Sequence, residues 1–324
     1  MRQIGVKLLR LVLVLFFVTF FAFYLVSLLP GDPVTNFAGI GADEAKLDEI
    51  RADLGLDEPV IVRYFDWLGA FLTGDLGKYY GVAGDSPADK LLGTGNVGVE
   101  EGALLVSLQL MTYTMIFGLA IAIPLGVVTA YRANSVFDKG TGLFAFLALS
   151  IPAFVLAYLF KQVFTINWQV LPERGWEKIT EVGLIEHLKF AILPVLCLAM
   201  AQIAVYQRLL RSDMIATLQE DYITMAKSKG LSNKRILFRH ALRPSSLTLL
   251  TIAGLNIGTL IGGAVVIERI FGIPGLGTLT IEAFLSREYV ALSSFIAVIG
   301  VFYVLVNFAV DFFYTVLDPR IRYG

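Results

Sequence analysis

Side chains able to make or break covalent bonds are sparse in this sequence. There is one cysteine, Cys197, and there are two histidines, His187 and His240, too far apart for any metal-ligand motif. No G-x-x-x-x-G-K-[ST] phosphate loop occurs, so the chain is not itself an ATPase. The glycine-rich run Gly93-Thr94-Gly95-Asn96-Val97-Gly98 lacks the lysine such a loop needs. No Ser or Asp constellation points to intramembrane proteolysis. No catalytic residue and no metal site are therefore expected. Two ionisable residues stand at the margins of apolar blocks: Lys161, with Gln162, can snorkel outward, and Asp311 can anchor at an interface. The segment that promises chemistry of another kind, protein docking, is the basic run Asp221 to Pro244. It reads as two short helices at an angle. Asp221 suits the positive end of the first, Lys227 and Lys229 suit its negative end, and Gly230 can take the left-handed conformation that stops it. Ser232 or Asn233 can cap the second, which presents Ile236, Leu237 and Ala241 among Lys234, Arg235 and Arg239. On these residues alone, a knob for a partner's cleft and a basic helix held by anionic lipid are both open.

The elements that position this run are membrane spans. Of the 324 residues 56% are hydrophobic and only 16% charged, against about 25% charged in soluble domains. A bilayer's hydrocarbon core needs about 20 apolar residues per helix. Six blocks meet that demand: Leu11 to Leu29, Ala103 to Ala130, Leu143 to Leu159, Phe190 to Tyr206, Leu247 to Ile267 and Val290 to Leu317. The first follows Arg2, Lys7 and Arg10 as a signal peptide would. It ends in Pro30-Gly31-Asp32-Pro33 instead of a small-residue cleavage site, so a retained span is expected. Cys197 lies within a span as a small packing residue. Pro124, Gly126, Pro152 and Pro194 interrupt spans and mark either a pathway or ordinary kinks.

Charge sets the sidedness. Arg2, Lys7, Arg10, then Arg132 and Lys139, then Arg208, Arg211 and the basic residues of the 221–244 run, and finally Arg320 and Arg322 all fall on one side of a six-span chain. Residues 30–102 carry 14 acidic against 5 basic residues and fall on the other. Cytoplasmic loops are enriched in Lys and Arg, which predicts cytoplasmic termini and an extracytoplasmic segment 31–102. That segment has helical spacing at Leu47, Ile50 and Leu54 with a stop at Gly55. Its second amphipathic stretch, Val60 to Leu72, carries Tyr64, Phe65, Trp67, Leu68 and Phe71, suited to packing a small cap or to the membrane interface. The expected organisation is a first span in 1–30, a loop or cap in 31–102, and a five-helix core in 103–324 with a coupling segment at 211–246.

These runs resemble a known family, the transmembrane permease subunits of ABC importers, and within it the B-type permease of oligopeptide, dipeptide and nickel uptake systems. Thr224-Met225-Ala226 stands at the signature triplet, and Ala226, Lys229, Gly230 and Leu231 match the peptide branch's Ala-x-x-Lys-Gly-Leu. The proline of Ala241-Leu242-Arg243-Pro244 sits one position later than the general pattern. Leu28 to Pro33, Leu54 to Pro59, Arg63-Tyr64 and Gly74-Asp75-Leu76-Gly77 look like the first outer loop of peptide permeases, and Val266 to Gly277 like their outer element between the last two spans. Lys90 to Ser107 is a departure, an added stretch.

The resemblance implies an all-α, polytopic membrane protein with six transmembrane helices in the type I ABC importer permease (MetI-like) fold, in the cytoplasmic membrane of a prokaryote. It implies a second permease, with a C-type paralogue favoured, two ABC ATPases that carry ATP and Mg, and an extracytoplasmic substrate-binding protein. Membrane lipid is a further partner and nucleic acid is not. Peptide is the expected cargo, with a nickel complex as the alternative. An ATP-independent secondary transporter is disfavoured because mid-membrane ionisable residues are nearly absent. The ATPase-coupling residues it implies are Asp221, Ala226, Lys229, Gly230, Leu231 and Arg235. Gly230 sets the bend, Leu231 and Ala226 enter the ATPase cleft, and the charges fix register. Phe271, Pro274, Gly275 and Gly277 form the turn expected to face the binding protein.

Overall fold

The computed structural model describes residues 2–30, 34, 44–80, 86–94 and 101–317. Gly31-Asp32-Pro33, residues 95–98, Arg320 and Arg322, and the side chains of Leu47, Ile50 and Asp311, lie outside the described residues. Every regular element among the described residues is helical. Five helices are long and apolar enough to cross a membrane. They are α1 (Arg2–Ser27), α5 (Ala103–Tyr131), α9 (Leu184–Leu218), α12 (Leu242–Phe271) and α14 (Tyr289–Leu317).

The third apolar block, expected at Leu143 to Leu159 with an interruption at Pro152, is longer than that range and sharply broken. It is a bent pair, α6 (Val136–Ser150) and α7 (Ala153–Phe160), the latter prolonged by a π-helical turn, Lys161–Asn167. The two halves meet at 98°. Pro152 is the cause: its ring excludes the helical conformation from Ile151, which is extended at φ −100° and ψ 119°. Counted as one broken span, the pair makes the sixth crossing.

Contacts divide the chain into two compact units, residues 1–108 with 273–308, and residues 109–272 with 309–324. The first holds α1, α2 (Glu44–Asp53), α3 (Val60–Leu72), α4 (Pro87–Leu92), α13 (Leu276–Leu285) and most of α14. Helix α2 ends where expected: Gly55 is left-handed at φ 59°, and the Gly55 and Leu56 amides donate back to the Ala52 and Arg51 carbonyls. The amphipathic reading of α3 resolves into packing. Tyr64 and Trp67 are buried against Phe16, Phe20 and Phe23 of α1, and the Tyr64 hydroxyl bonds that of Thr19 at 3.0 Å. A short relay fastens α3 to α14: Trp67 Nε1 donates to Ser294 Oγ (3.1 Å), which donates to the Leu76 carbonyl (3.1 Å). Nearby, the buried Glu288 carboxylate accepts the Tyr80 amide at 3.0 and 3.1 Å. Burial, and then the Tyr80 hydroxyl's bond to Asp53, push the Tyr80 phenol above its ordinary pKa. Gly300 of α14 lies so close to α1 that a Cβ there would stand 2.4 Å from Val18.

The second unit is built on α5, α9 and α12, with a single-turn α8 (Ile179–Val182) just before α9. Ala122, Val127, Ile203, Tyr206, Leu210, Met214, Leu249 and Ala253 form its core. Gly126 admits Leu210, whose side chain lies 3.0 Å from where a Cβ would be. Polar pairs cross these apolar contacts: Gln207 Nε2 donates to Thr129 Oγ1 (3.0 Å) and Asn256 Nδ2 to Gln202 Oε1 (2.9 Å). In membranes such bonds and small residues hold helices together, because lipid supplies no hydrophobic drive. Pro124 and Pro194 are carried inside α5 and α9 without a break. Cys197 is buried, a packing residue as expected.

Candidate functional site

The run from Asp221 to Ala241 folds as an elbow between α9 and α12. Helix α10 (Asp221–Ser228) starts at Asp221, whose carboxylate stands in the first turn, and carries Lys227 in the last. It ends in a Schellman motif. Gly230 is left-handed at φ 76°, its amide donates to the Lys227 carbonyl, and the Leu231 amide donates to that of Ala226. Ser232 takes an N-cap backbone at ψ 147°, yet no side chain caps the next helix. Asn233 instead donates to the Tyr131 hydroxyl at 3.0 Å.

The second short helix is not separate. Asn233–Arg235 (α11) runs through a π-helical turn, Ile236–Ala241, directly into α12. Pro244, which the sequence sets one position later than the general pattern, lies within the first turn of α12. A proline at 244 has no N–H for the carbonyl four residues earlier, that of His240. The Tyr222 hydroxyl donates to the His240 carbonyl at 3.4 Å and thereby ties α10 to the long helix.

The elbow has an inside and an outside. Ile223, Ala226 and Ile236 are buried together, with Leu218 and Leu231 packed on them. Ala226 and Leu231, expected to enter a partner's cleft, are thus the elbow's own interior. Ala226 is only 7% exposed. They pack α10 against the start of the helix that follows. The outer surface carries Asp221, Lys229, Gly230 and Arg235, together with two residues the sequence reading passed over, Tyr222 and Met225. Met225 is 58% exposed. The signal was present: Ile223 and Ala226 make one stripe of the eight-residue helix, and Tyr222 and Met225 another. A Cβ added at Gly230 would meet nothing within 4 Å, so the glycine serves the backbone and leaves room beside it.

The run after α12 is different in kind. Gly272 closes α12 in a left-handed conformation at φ 63°. Phe271, Gly275 and Gly277 are buried and Pro274 is half-buried, so the first three have little surface to offer. The Leu276 amide at the start of α13 donates to Ser107 Oγ at 2.8 Å, and Thr278 Oγ1 to the Ile273 carbonyl at 2.8 Å. These two bonds anchor the start of α13 within the first unit.

Lys161 does not reach outward. It is buried, and its Nζ bonds the Ile270 carbonyl (3.4 Å) and pairs with Glu173 (3.4 Å). The π-helical turn and the returning chain bring both partners to it, and a cation at the C-terminal end of α12 is favoured by the helix dipole. His187 is likewise fully buried, its Nδ1 at 2.5 Å from the Glu177 carbonyl and its ring against Trp176 and Tyr113. Among the described residues no three His, Cys, Asp or Glu side chains converge as a metal site.

Residues 122–323 match the family model described as the binding-protein-dependent transport system inner membrane component. Residues 1–91 match the model for the N-terminal part of such membrane components. A putative peptide transport system permease protein of Brucella abortus is 36% identical over 310 residues, covering 96% of this chain and 95% of that protein. A probable peptide ABC transporter permease protein of Sinorhizobium fredii is 33% identical over 317 residues, 98% of each chain. The oligopeptide transport system permease protein AppB of Bacillus subtilis is 34% identical over 307 residues, 94% of each chain.

Proposed function

The chain belongs to the inner membrane component family of binding-protein-dependent transport systems, and from that premise we propose that it is the permease subunit of an ATP-driven importer of oligo- or dipeptides. The observation that carries the mechanism is the elbow: its interior is filled by its own Ile223, Ala226 and Ile236, while Tyr222, Met225 and Lys229 stand outward and Gly230 leaves space beside them. The cargo follows from the relatives, which are named as peptide permeases along nearly their whole length.

In this reading the protein lies in the cytoplasmic membrane with both termini and the elbow in the cytoplasm, as the clustering of Lys and Arg on that side supports. One ABC ATPase grips this elbow and a second grips that of a C-type permease partner. ATP and Mg reside in those ATPases. Closure of the ATPases draws the elbows together and turns the pathway outward to a loaded substrate-binding protein. Asp221, Lys229 and Arg235 fix the register of docking, Gly230 sets the bend, and Ala226 and Leu231 hold the angle from within. Residues 31–102 form the outer cap, and the turn containing Phe271, Pro274, Gly275 and Gly277 stiffens the surface beside which the binding protein docks.

The test is uptake of labelled di- and oligopeptides by cells lacking the chain, with nickel uptake measured in parallel, together with a pull-down of the tagged chain from mildly solubilised membranes. Loss of peptide uptake, and recovery of two ATPases with a second permease, are expected. Unchanged peptide uptake with lost nickel uptake would overturn the cargo, and recovery of the chain alone would overturn the importer assembly.

A further inference from the structure

A second site, remote from the elbow, lies between α6 and α9. Asp138 in the first turn of α6 is 6% exposed and fully engaged. Arg211 Nε and Nη2 donate to its two oxygens at 2.5 and 2.7 Å, and the Asn134 amide donates to one of them at 2.8 Å. This bidentate pair is neutral overall and holds the Arg211 guanidinium in a fixed orientation. Beside it stand Lys139 and Arg208, both exposed, neither of them ion-paired among the described residues. Arg208 and Arg211 are three residues apart on α9 and so share one side of it. Between the two helices is a cleft of about 360 Å³ lined by this basic group with Asn134 and Gln207, and by an apolar floor of Ala145, Phe146 and Leu149, which lie farther along α6 than Lys139. Gly142 keeps one wall low, with nothing within 4 Å of where its Cβ would be. Phe146 and Leu149, 68% and 45% exposed, continue this apolar surface along α6, the first half of the bent apolar pair.

We propose that this cleft is a binding site for an anionic phospholipid, its phosphate held by Lys139 and Arg208 over the oriented Arg211, and its acyl chains laid on Phe146 and Leu149. Charge selects the occupant. With Asp138 and Arg211 cancelling, two positive charges remain at the polar end of an apolar helix, the setting in which basic pockets between transmembrane helices recognise acidic headgroups. Distance agrees. Two turns of α6 separate Lys139 from Phe146, about 10 Å, against a headgroup layer of about 5–8 Å per leaflet, and the long Lys and Arg side chains span the difference. A free phosphate shares the headgroup's chemistry but leaves the apolar floor unused. The site is independent of the cargo and of the ATPases.

The purified full-length chain is to be examined by native mass spectrometry with phosphatidylglycerol, phosphatidylcholine or glycerol 3-phosphate as probe. Phosphatidylglycerol is expected to be retained roughly thirtyfold more strongly than phosphatidylcholine, the effect of two basic residues at an acidic headgroup. The double variant Lys139→Ala, Arg208→Ala removes that preference, while Lys234→Ala, Arg239→Ala keeps it. Both substituted positions of the first pair are exposed, and an unchanged melting temperature in phosphatidylcholine confirms that the variant is folded. Equal retention of the two lipids, or an undiminished preference in the first double variant, overturns the proposal. Displacement by millimolar glycerol 3-phosphate makes the site one for small anions and overturns the lipid assignment. Loss of retention once the chain is assembled with its partners shows that protein covers the cleft and overturns it equally.

Discussion

Gly230 and Met225 are five residues apart, and the structure gives them opposite kinds of importance. Gly230 is held at φ 76° with open space where a side chain would go. Replacing it costs backbone strain of about 1 kcal/mol and no collision, and aspartate tolerates the left-handed region better than most residues. We expect Gly230→Asp to reach the membrane at normal levels while ATP hydrolysis by the complex no longer drives peptide uptake, read as the ratio of transport to hydrolysis. Undiminished coupling would refute the role assigned to the bend. Met225 is 58% exposed and is not a member of the elbow's buried cluster, so Met225→Asp is expected to change stability by less than about 0.5 kcal/mol. The same variant should no longer co-purify with ATPase subunits. Ala226→Leu supplies the contrast. It overfills the contact with Ile223 and Ile236, costing about 1–3 kcal/mol in thermal stability.

At the scale of elements, α3 is secured by one polar relay as well as by aromatic packing. Ser294→Ala strands the Trp67 indole N–H and the Leu76 carbonyl together, at a cost of about 1–3 kcal/mol. Trp67→Phe in that background should add less than it costs alone, because the hydrogen bond is already gone; a double-mutant cycle on melting curves measures the coupling. Full additivity would show that the relay contributes nothing. The elements themselves were largely legible. Helix α3 spans the residues that hydrophobic spacing assigned to it, and Gly55 and Gly230 stop their helices by the left-handed route that glycine makes available. Two features were not legible, for a common reason. The bend at Pro152 and the uninterrupted passage through Pro244 both follow from proline, which restrains the residue before it and removes one N–H, but does not say whether the chain will break or continue. That choice rests on tertiary partners: at Pro244, the Tyr222 hydroxyl offers the His240 carbonyl a donor. Of the candidate site, its location and its charged residues were readable. The division between Ala226 inside and Met225 outside was not drawn, because the expected docking role of Ala226 obscured its helical periodicity.

For the whole molecule, the distribution of charge makes a prediction about topology that is independent of cargo. Cys197 is the only cysteine and is buried, so Cys197→Ser gives a background for single-cysteine labelling. A cysteine at Asp57 is expected to react with a membrane-impermeant maleimide in intact spheroplasts. One at Lys234 should react only after permeabilisation. Labelling of both from the same side would contradict the six-crossing topology, since it would require the bent pair α6–α7 to return to the side it came from.

The unbroken helix from Asn233 to Phe271 has a mechanical consequence. At 39 residues it is a rod of about 58 Å, and a tilt of about 5° about one end sweeps the other through about 5 Å. A permease whose coupling element was joined to its fifth span by a flexible turn would dissipate a partner's push in that turn. In the proposed assembly a shift of about 5 Å at the Asn233 end is therefore carried into a tilt of the whole helix by about 5° instead of being taken up in a local turn.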